Sequence, residues 1–289
     1  MRSKQHEVYA LCMYTQINQN INQQNKTIMK KMLIYACVVF VMLACTEQNA
    51  PEGGIGKSFS IAPNQRVYFS KGCLQYQATT NIWRFAENQY DIIGEDNRNI
   101  SSTYSGWIDL FGWGTGYDPT NASGDDADYA TFRDWGDNVI SNGGNKEGLW
   151  RTLTKDEWEY LINGRKNADV LKGKATVREI RGLILLPDSW KGTKDIEFEA
   201  SQNNWKTNDY SVAEWHKLEA AGAVFLPITG IRSSHNISGV DDEKGRFWSA
   251  TQGNATDAYY FIYTDSNNGY TNYSYRHFGL PVRLVQDVQ

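Results

Sequence analysis

Cysteine is nearly absent from this chain. Cys12, Cys37 and Cys45 fall near the N-terminus, and beyond them only Cys73 is left. A lone cysteine makes neither an intramolecular disulfide nor a zinc cluster, and no nucleophile motif surrounds this one, so Cys73 reads as a small half-buried strand residue. Basic runs are missing too. The formal net charge is −4 at pH 7, which argues against the basic stripe that a nucleic-acid partner requires. Long apolar runs are absent: Leu33 to Ala44 is too short to span a bilayer comfortably. The most informative absence lies near the C-terminus. From Gly253 to Pro281 there is no Lys, Glu, Gln, Met or Trp, where about six would be expected by proportion. None of those five types is encoded by a codon ending in a pyrimidine. What fills the window instead is Tyr, Asn, Ser, Thr, Asp and Gly. Rigid amphipathic rings with small, adaptable hydrogen-bonding groups are the chemistry of an antibody paratope, so the window implies a binding surface.

The N-terminus reads as a targeting segment. Met29-Lys30-Lys31 is a basic start, and Leu33 to Ala44 is an apolar core of signal-peptide length. Met42-Leu43-Ala44-Cys45 resembles a bacterial lipobox, which implies that Cys45 is lipidated and heads the mature chain. Residues 1–28 are polar and Asn/Gln-rich, and they read as an untranslated or disordered extension. The expected boundaries are 29–45 for the signal peptide, 46–58 for a flexible tether and 59–289 for a single domain, with the binding window at 253–281. The mature chain then carries about −8.

Within the domain, Phe59–Phe69 and Cys73–Gln77 alternate as paired strands around a Ser70-Lys71-Gly72 turn, and Trp83–Ala86 forms a third. Asp91 to Asp128 is loop-rich. Thr154–Gly164 is a helix with a Thr154/Glu157 capping box, and Ser211–Ala221 is a second one with Ser211 and Glu214. Arg181–Pro187, Gly222–Pro227, Arg246–Ala250, Tyr259–Tyr263 and Leu280–Val285 read as short strands. The ten tryptophans supply the bulk that a loop-heavy fold needs to bury itself. The pattern is α+β.

Several of these segments form an ordered resemblance. WRTLTKDEWEYL (Trp150–Leu161), GLILLPDSW (Gly182–Trp190), LEAAGAVFLPITGIR (Leu218–Arg232), GRFWSAT (Gly245–Thr251) and GLPVRLV (Gly279–Val285) resemble the formylglycine-generating-enzyme, or sulfatase-modifying, type of C-type-lectin-like fold. VYFSKGCLQYQ, WRFAENQYD and YSGWIDLFGWGTGYDPT resemble surface lipoproteins of diderm gut bacteria. The resemblance implies that Arg232, Ser249, Thr251 and Arg283 are scaffold residues. Enzymes of the family use a pair of cysteines near the C-terminus. This chain has none there, so catalysis of that kind is not expected, and no cofactor is implied. Some proteins on this fold are variable proteins of diversity-generating retroelements. In those, adenine-directed mutagenesis rewrites AAY codons and never reaches Lys, Glu, Gln, Met or Trp. The window at Gly253–Pro281 fits that exclusion.

Other chemistry is thin. His216, His235 and His277 read as ordinary surface or half-buried histidines, with no Ser/His/Asp arrangement around them. Asp118–Asn121 and Gly124–Asp128 offer oxygen ligands for Ca²⁺, but the segment lacks the EF-hand pattern and the EPN, QPD and WND triplets of calcium-dependent lectins. It reads as a turn-forming acidic loop, with no metal expected.

The candidate ligand-binding residues follow from strand alternation. In Tyr259–Thr264, the set Tyr259, Phe261 and Tyr263 is expected inward, and Tyr260, Ile262 and Thr264 are expected on display. A following loop adds Asn267, Asn268, Tyr270, Asn272, Tyr273 and Tyr275, with Asn254, Asp257 and His277 at its margins. The expected function is non-catalytic binding of a protein or glycan at the cell surface, on a chain held to the outer membrane by lipid. A fixed carbohydrate-binding or adhesion module, an enzyme on the same fold, and a structural part of a surface assembly remain as alternatives. A donated or accepted edge strand would mark the last of these.

Overall fold

The computed structural model describes residues 50–200, 204–240 and 242–289, together with Gln23, Gln24, Lys26, Met29 and Lys30. The chain divides into two compact units, Met1–Asn49 and Ala50–Gln289. In the first, the five described residues are helical. The expected lipid site, Cys45, and nearly all of the expected signal segment lie outside the described residues. No helix among the described residues is long and apolar enough to cross a membrane.

The second unit is a sheet-rich α+β domain with few helices. Its first strand, β1 (Gly54–Ala62), pairs with β2 (Gln65–Ser70), with Phe59 opposite Val67. This corrects two expectations. Residues 54–58, the last part of the expected 46–58 tether, belong to β1. Phe59–Phe69 is itself a hairpin, because Pro63 ends the first strand and Asn64 takes a φ of 66°, which an Asn tolerates in a turn. The turn at Ser70–Gly72 then carries the chain into a different sheet. There β3 (Leu74–Gln77) lies between β4 (Ile82–Phe85) and β5 (Trp107–Ile108).

The long loop region up to Asn138 carries only β5 and short 3-10 turns before β6 (Arg151–Thr152). The helix α1 (Lys155–Glu159) starts at the expected capping box of Thr154 and Glu157. It does not continue as α-helix to Gly164. Tyr160–Gly164 widens into a π turn, closed by Arg165 N–H on the Tyr160 carbonyl at 2.8 Å. The wider turn lets Leu161 and Ile162 both face the core. The ammonium of Lys172 then caps the freed carbonyl of Ile162 at 2.6 Å.

Strands β7 (Lys172–Val177), β8 (Ile180–Leu185), β9 (Asp209–Tyr210) and β10 (Val224–Pro227) form one sheet in the order β10-β8-β7-β9. Helix α2 (Val212–Ala220), capped by Ser211 and Glu214, buries Trp215 and Leu218 beside it and leaves His216 exposed. A small hairpin of β11 (Ile231–Ser233) and β12 (Asn236–Ser238) follows. Three further strands, β13 (Lys244–Gln252), β14 (Asp257–Thr264) and β15 (Asn267–Tyr275), make an antiparallel sheet with β14 in the middle. The last strand, β16 (Leu284–Asp287), returns to lie between β2 and β6.

The apolar side chains gather in three clusters. One holds Phe59, Phe69, Trp158, Phe247, Phe261 and Tyr263. A second is built from loop tryptophans and the opposite face of the β13–β15 sheet. The third packs α2 on the β7–β10 sheet. Buried indoles also fasten the loops: Trp113 Nε1 donates to the Ser249 carbonyl at 3.0 Å, and Trp248 Nε1 donates to the Phe111 carbonyl at 2.7 Å. Each bond satisfies a polar atom that burial would otherwise strand.

Candidate functional site

The expected display strand is covered on both faces. Phe261 and Tyr263 enter the first cluster, while Ala258, Tyr260 and Ile262 enter the second. Tyr260 is 7% exposed, Ile262 5% and Thr264 9%. The expectation that these three are displayed is therefore overturned. Alternation does send neighbours to opposite sides, but β14 is the central strand of its sheet and both sides meet packed side chains. Of the inward set, Phe261 and Tyr263 are fully buried, while Tyr259 is half-buried at the sheet's end.

The segment Asn267–Tyr275 is not a loop either. It is β15, paired along its length with β14: Ile262 faces Tyr270, Tyr260 faces Asn272, Tyr259 faces Tyr273 and Asp257 faces Tyr275. The exposed rings therefore divide between the two faces of an edge strand. Tyr270 shares a face with Ile262 and Asn272, and Tyr273 and Tyr275 share the other with Tyr259. Their exposures are 39%, 59% and 51%. Asn268 is buried, and Gly269 is scaffold: at φ 136° an added Cβ would lie 2.3 Å from Phe261 Cε2.

The amides mostly serve the backbone. Asn272 Oδ1 accepts from the Tyr273 N–H at 2.9 Å, and Asn267 Oδ1 accepts from the Gly269 N–H at 2.8 Å. Successive N–H groups of a strand alternate between its edges, and the Arg276 N–H already bonds the Thr256 carbonyl on the β14 side. The Tyr273 N–H thus points to the outer edge and is taken by a side chain. That capping works against strand addition along β15. Asn254 Oδ1 accepts from the Thr256 and Asp257 N–H groups at 2.8 and 2.9 Å, which closes the β13–β14 turn. His277 is half-buried. Its backbone N–H and its Nδ1 both meet Asp126 Oδ1, at 3.1 and 2.8 Å, and Tyr275 stacks on its ring at 5.4 Å with planes 13° apart.

Buried cations hold the hairpin at its two ends. At the open end, Arg276 is 2% exposed and donates to the carbonyls of Asn254, Asp257 and Tyr129. At the β14–β15 turn, Lys174 donates to the Asp265 carbonyl at 2.5 Å, and burial lowers the pKa of its ammonium. Along one face, Thr271 donates to Glu159 of α1, and the Lys155 ammonium lies 5.0 Å from the centre of the Tyr259 ring. Sequence reasoning missed Lys174, Arg276 and Glu159, because nothing local to a lysine or arginine marks it as the partner of a distant carbonyl.

The motif residues act as scaffold. Arg232 and Arg283 are buried on main-chain carbonyls, Arg232 on Leu110 and Ser234, Arg283 on Ser70 and Phe225. Ser249 donates to the Tyr259 carbonyl at 2.8 Å, and Thr251 Oγ1 accepts from the Lys155 N–H at 2.9 Å at the start of α1.

Among the described residues, no three His, Cys, Asp or Glu side chains converge to hold a metal. In the acidic loop, Asp125 accepts from the Ala127 N–H, and Asn121 accepts from the Ser123 N–H and the Tyr129 hydroxyl. These are turn contacts. Cys73 is fully buried, and burial pushes its thiol up to about 11. His235 is exposed, with Nδ1 3.0 Å from the Arg98 carbonyl. A cleft of about 330 Å³ lies elsewhere, lined by Ile92, Glu179, Ile180, Arg181, Ile228, Val240 and Asp242, none of them in the Gly253–Pro281 window. No protein-family model, no curated protein and no solved structure matches the chain.

Proposed function

We propose that this chain is a lipid-anchored surface protein whose domain, of C-type-lectin-like, formylglycine-generating-enzyme type, binds a ligand without catalysis. The binding surface is the outer edge of β15, with Tyr270 and Asn272 on one side, Tyr273 and Tyr275 on the other, and Asn267 at the start of the strand. The observation that carries the reading is the exposure of three tyrosines on one edge strand, 39%, 59% and 51%, in a domain that otherwise buries most of its large rings. An exposed Tyr supplies contact area at low entropic cost. The same strand lies in the window that lacks Lys, Glu, Gln, Met and Trp, which supports diversification by a retroelement.

The test is on DNA. The coding region for Gly253–Pro281 is sequenced across isolates with its flanks. The expected result is AAY-derived codons at the positions of Tyr270, Tyr273 and Tyr275, a nearby near-copy with adenines at the differing sites, and a reverse-transcriptase gene. An invariant window with no repeat sinks diversification and leaves a fixed binding module. The stacked pair of Tyr275 and His277 favours that second reading to the extent that sugars pack on ring faces.

A further inference from the structure

We propose that the outer face of the β3–β4–β5 sheet is a second ligand site, one that takes a carboxylate group. It shares no residue with β15. Pairing sets Gln75 opposite Arg84, and Gln77 between Ile82 and Trp107. Side chains of directly paired residues share a face. The opposite face carries Leu74, Tyr76, Trp83 and Phe85 into the second cluster.

On the outer face the Arg84 guanidinium lies over Trp107, with Cζ 3.7 Å from the ring centre. Its Nε donates to Gln75 Oε1 at 2.9 Å. The ring contact and the Nε bond hold the guanidinium in place. Its two terminal nitrogens have no acceptor among the described residues. Most other arginines of the domain are held by acceptors, and Arg133 and Arg178 lie by the rings of Tyr117 and Tyr90 at 5.4 and 5.9 Å. Arg66, Arg98, Arg151, Arg165, Arg181 and Arg246 each face a carboxylate, and Arg232, Arg276 and Arg283 bond carbonyls.

Gln75 supplies an independent observation. It is 2% exposed. A guanidinium can only donate, so the Gln75 oxygen must be the atom facing Arg84, and its amide nitrogen is the atom left over. That nitrogen also lacks an acceptor among the described residues, and it is not one of their fully enclosed unpartnered atoms, so it opens to solvent. Donors without a protein acceptor, one on the Gln75 amide and others on the guanidinium, thus sit on paired residues and open to solvent. A planar carboxylate matches the guanidinium fork with two parallel bonds. Because the fork is already held, little further ordering is needed to bind. The flanking Ile82, 39% exposed, and the half-buried Trp107 suit an acid with an apolar or sugar body.

The experiment titrates the full chain with sodium acetate, sodium glucuronate and glucose at matched ionic strength. The readout is the Trp107 indole N–H resonance. A saturable shift with acetate or glucuronate and none with glucose is expected. Response to acetate alone marks a small acid, and tighter binding of glucuronate marks a sugar acid. Arg84→Gln should weaken the response at least about tenfold with an unchanged melting temperature, and Arg84→Lys should also weaken it, because a point charge cannot fork. No saturable shift, an equal response to glucose, or wild-type affinity in Arg84→Gln would overturn the site.

Discussion

Phe261 stacks on Trp158 with ring centres 4.7 Å apart and planes 11° from parallel, while Tyr260, its neighbour in the chain, meets Trp248 edge-on at 6.2 Å on the other side of the sheet. Adjacent rings on β14 thus serve different cores.

That arrangement predicts the cost of truncation. Phe261→Ala should destabilise the domain by about 3–5 kcal/mol, and Tyr260→Ala should cost a comparable amount because it too leaves a cavity. Tyr273→Ala and Tyr275→Ala should stay within about 0.5 kcal/mol, since both rings are largely in solvent. Urea unfolding midpoints check the ranking. A neutral Tyr260→Ala would contradict the two-sided burial of β14.

The clamp at the β14–β15 turn predicts a local effect. Lys174→Met removes the donor to the Asp265 carbonyl and should cost about 1.5–3 kcal/mol, the range for a hydrogen bond to a charged group. Hydrogen exchange should quicken at Asp265–Gly269 before it does in β16. Uniform protection in the variant would show that the lysine does not hold the turn.

A pH dependence follows from Asp109. Burial pushes its carboxyl up to about 6, against the Ile93 N–H and Asn97 amide that favour the charged form. A carboxyl with a raised folded pKa contributes stability that is fully present below its unfolded pKa and lost as pH rises through the folded one. The domain should therefore lose a contribution of up to about 3 kcal/mol between pH 4 and pH 7. Melting temperatures of wild type and Asp109→Asn across that window should diverge in slope, with the variant flatter. Parallel curves would rule out the assignment.

Cys73 should be silent in the folded protein. Burial holds its thiol protonated and out of reach. A thiol-alkylating reagent at pH 8, followed by peptide mass mapping, should leave Cys73 unmodified until denaturant is added. Labelling at native conditions would mean that the core around Tyr263 and Arg283 opens.

Much of the framework was legible from local signals. The capping boxes of Thr154 with Glu157 and Ser211 with Glu214 stand where the S/T-x-x-E pattern puts them. The strand assignments near Ile82–Phe85, Ile180–Leu185 and Val224–Pro227 followed from short apolar runs between turn residues. Arg232 and Arg283 are buried on main-chain carbonyls of distant segments, in keeping with the scaffold role expected of them. The hairpin at Asn64 was missed because the alternation on either side of it continues in phase.

The candidate face was only half legible. Composition alone marked Asn267–Tyr275 as rich in exposed Tyr and Asn, and Tyr270, Tyr273 and Tyr275 are indeed at the surface. Composition did not show that the segment is a strand, since Asn and Gly favour turns and only the ladder to β14 overrides that preference.

What the sequence determined by itself were the features set within a few residues: caps, turns, the alternation of neighbours and the chemistry of the window. Which face of β14 was covered, which tyrosines of β15 shared a side, and which carbonyls Lys174 and Arg276 would satisfy were decided by tertiary structure. The physical reason is range. Alternation states that neighbours point opposite ways, but whether each side meets water or Trp158 and Trp248 depends on segments far along the chain that only folding brings together.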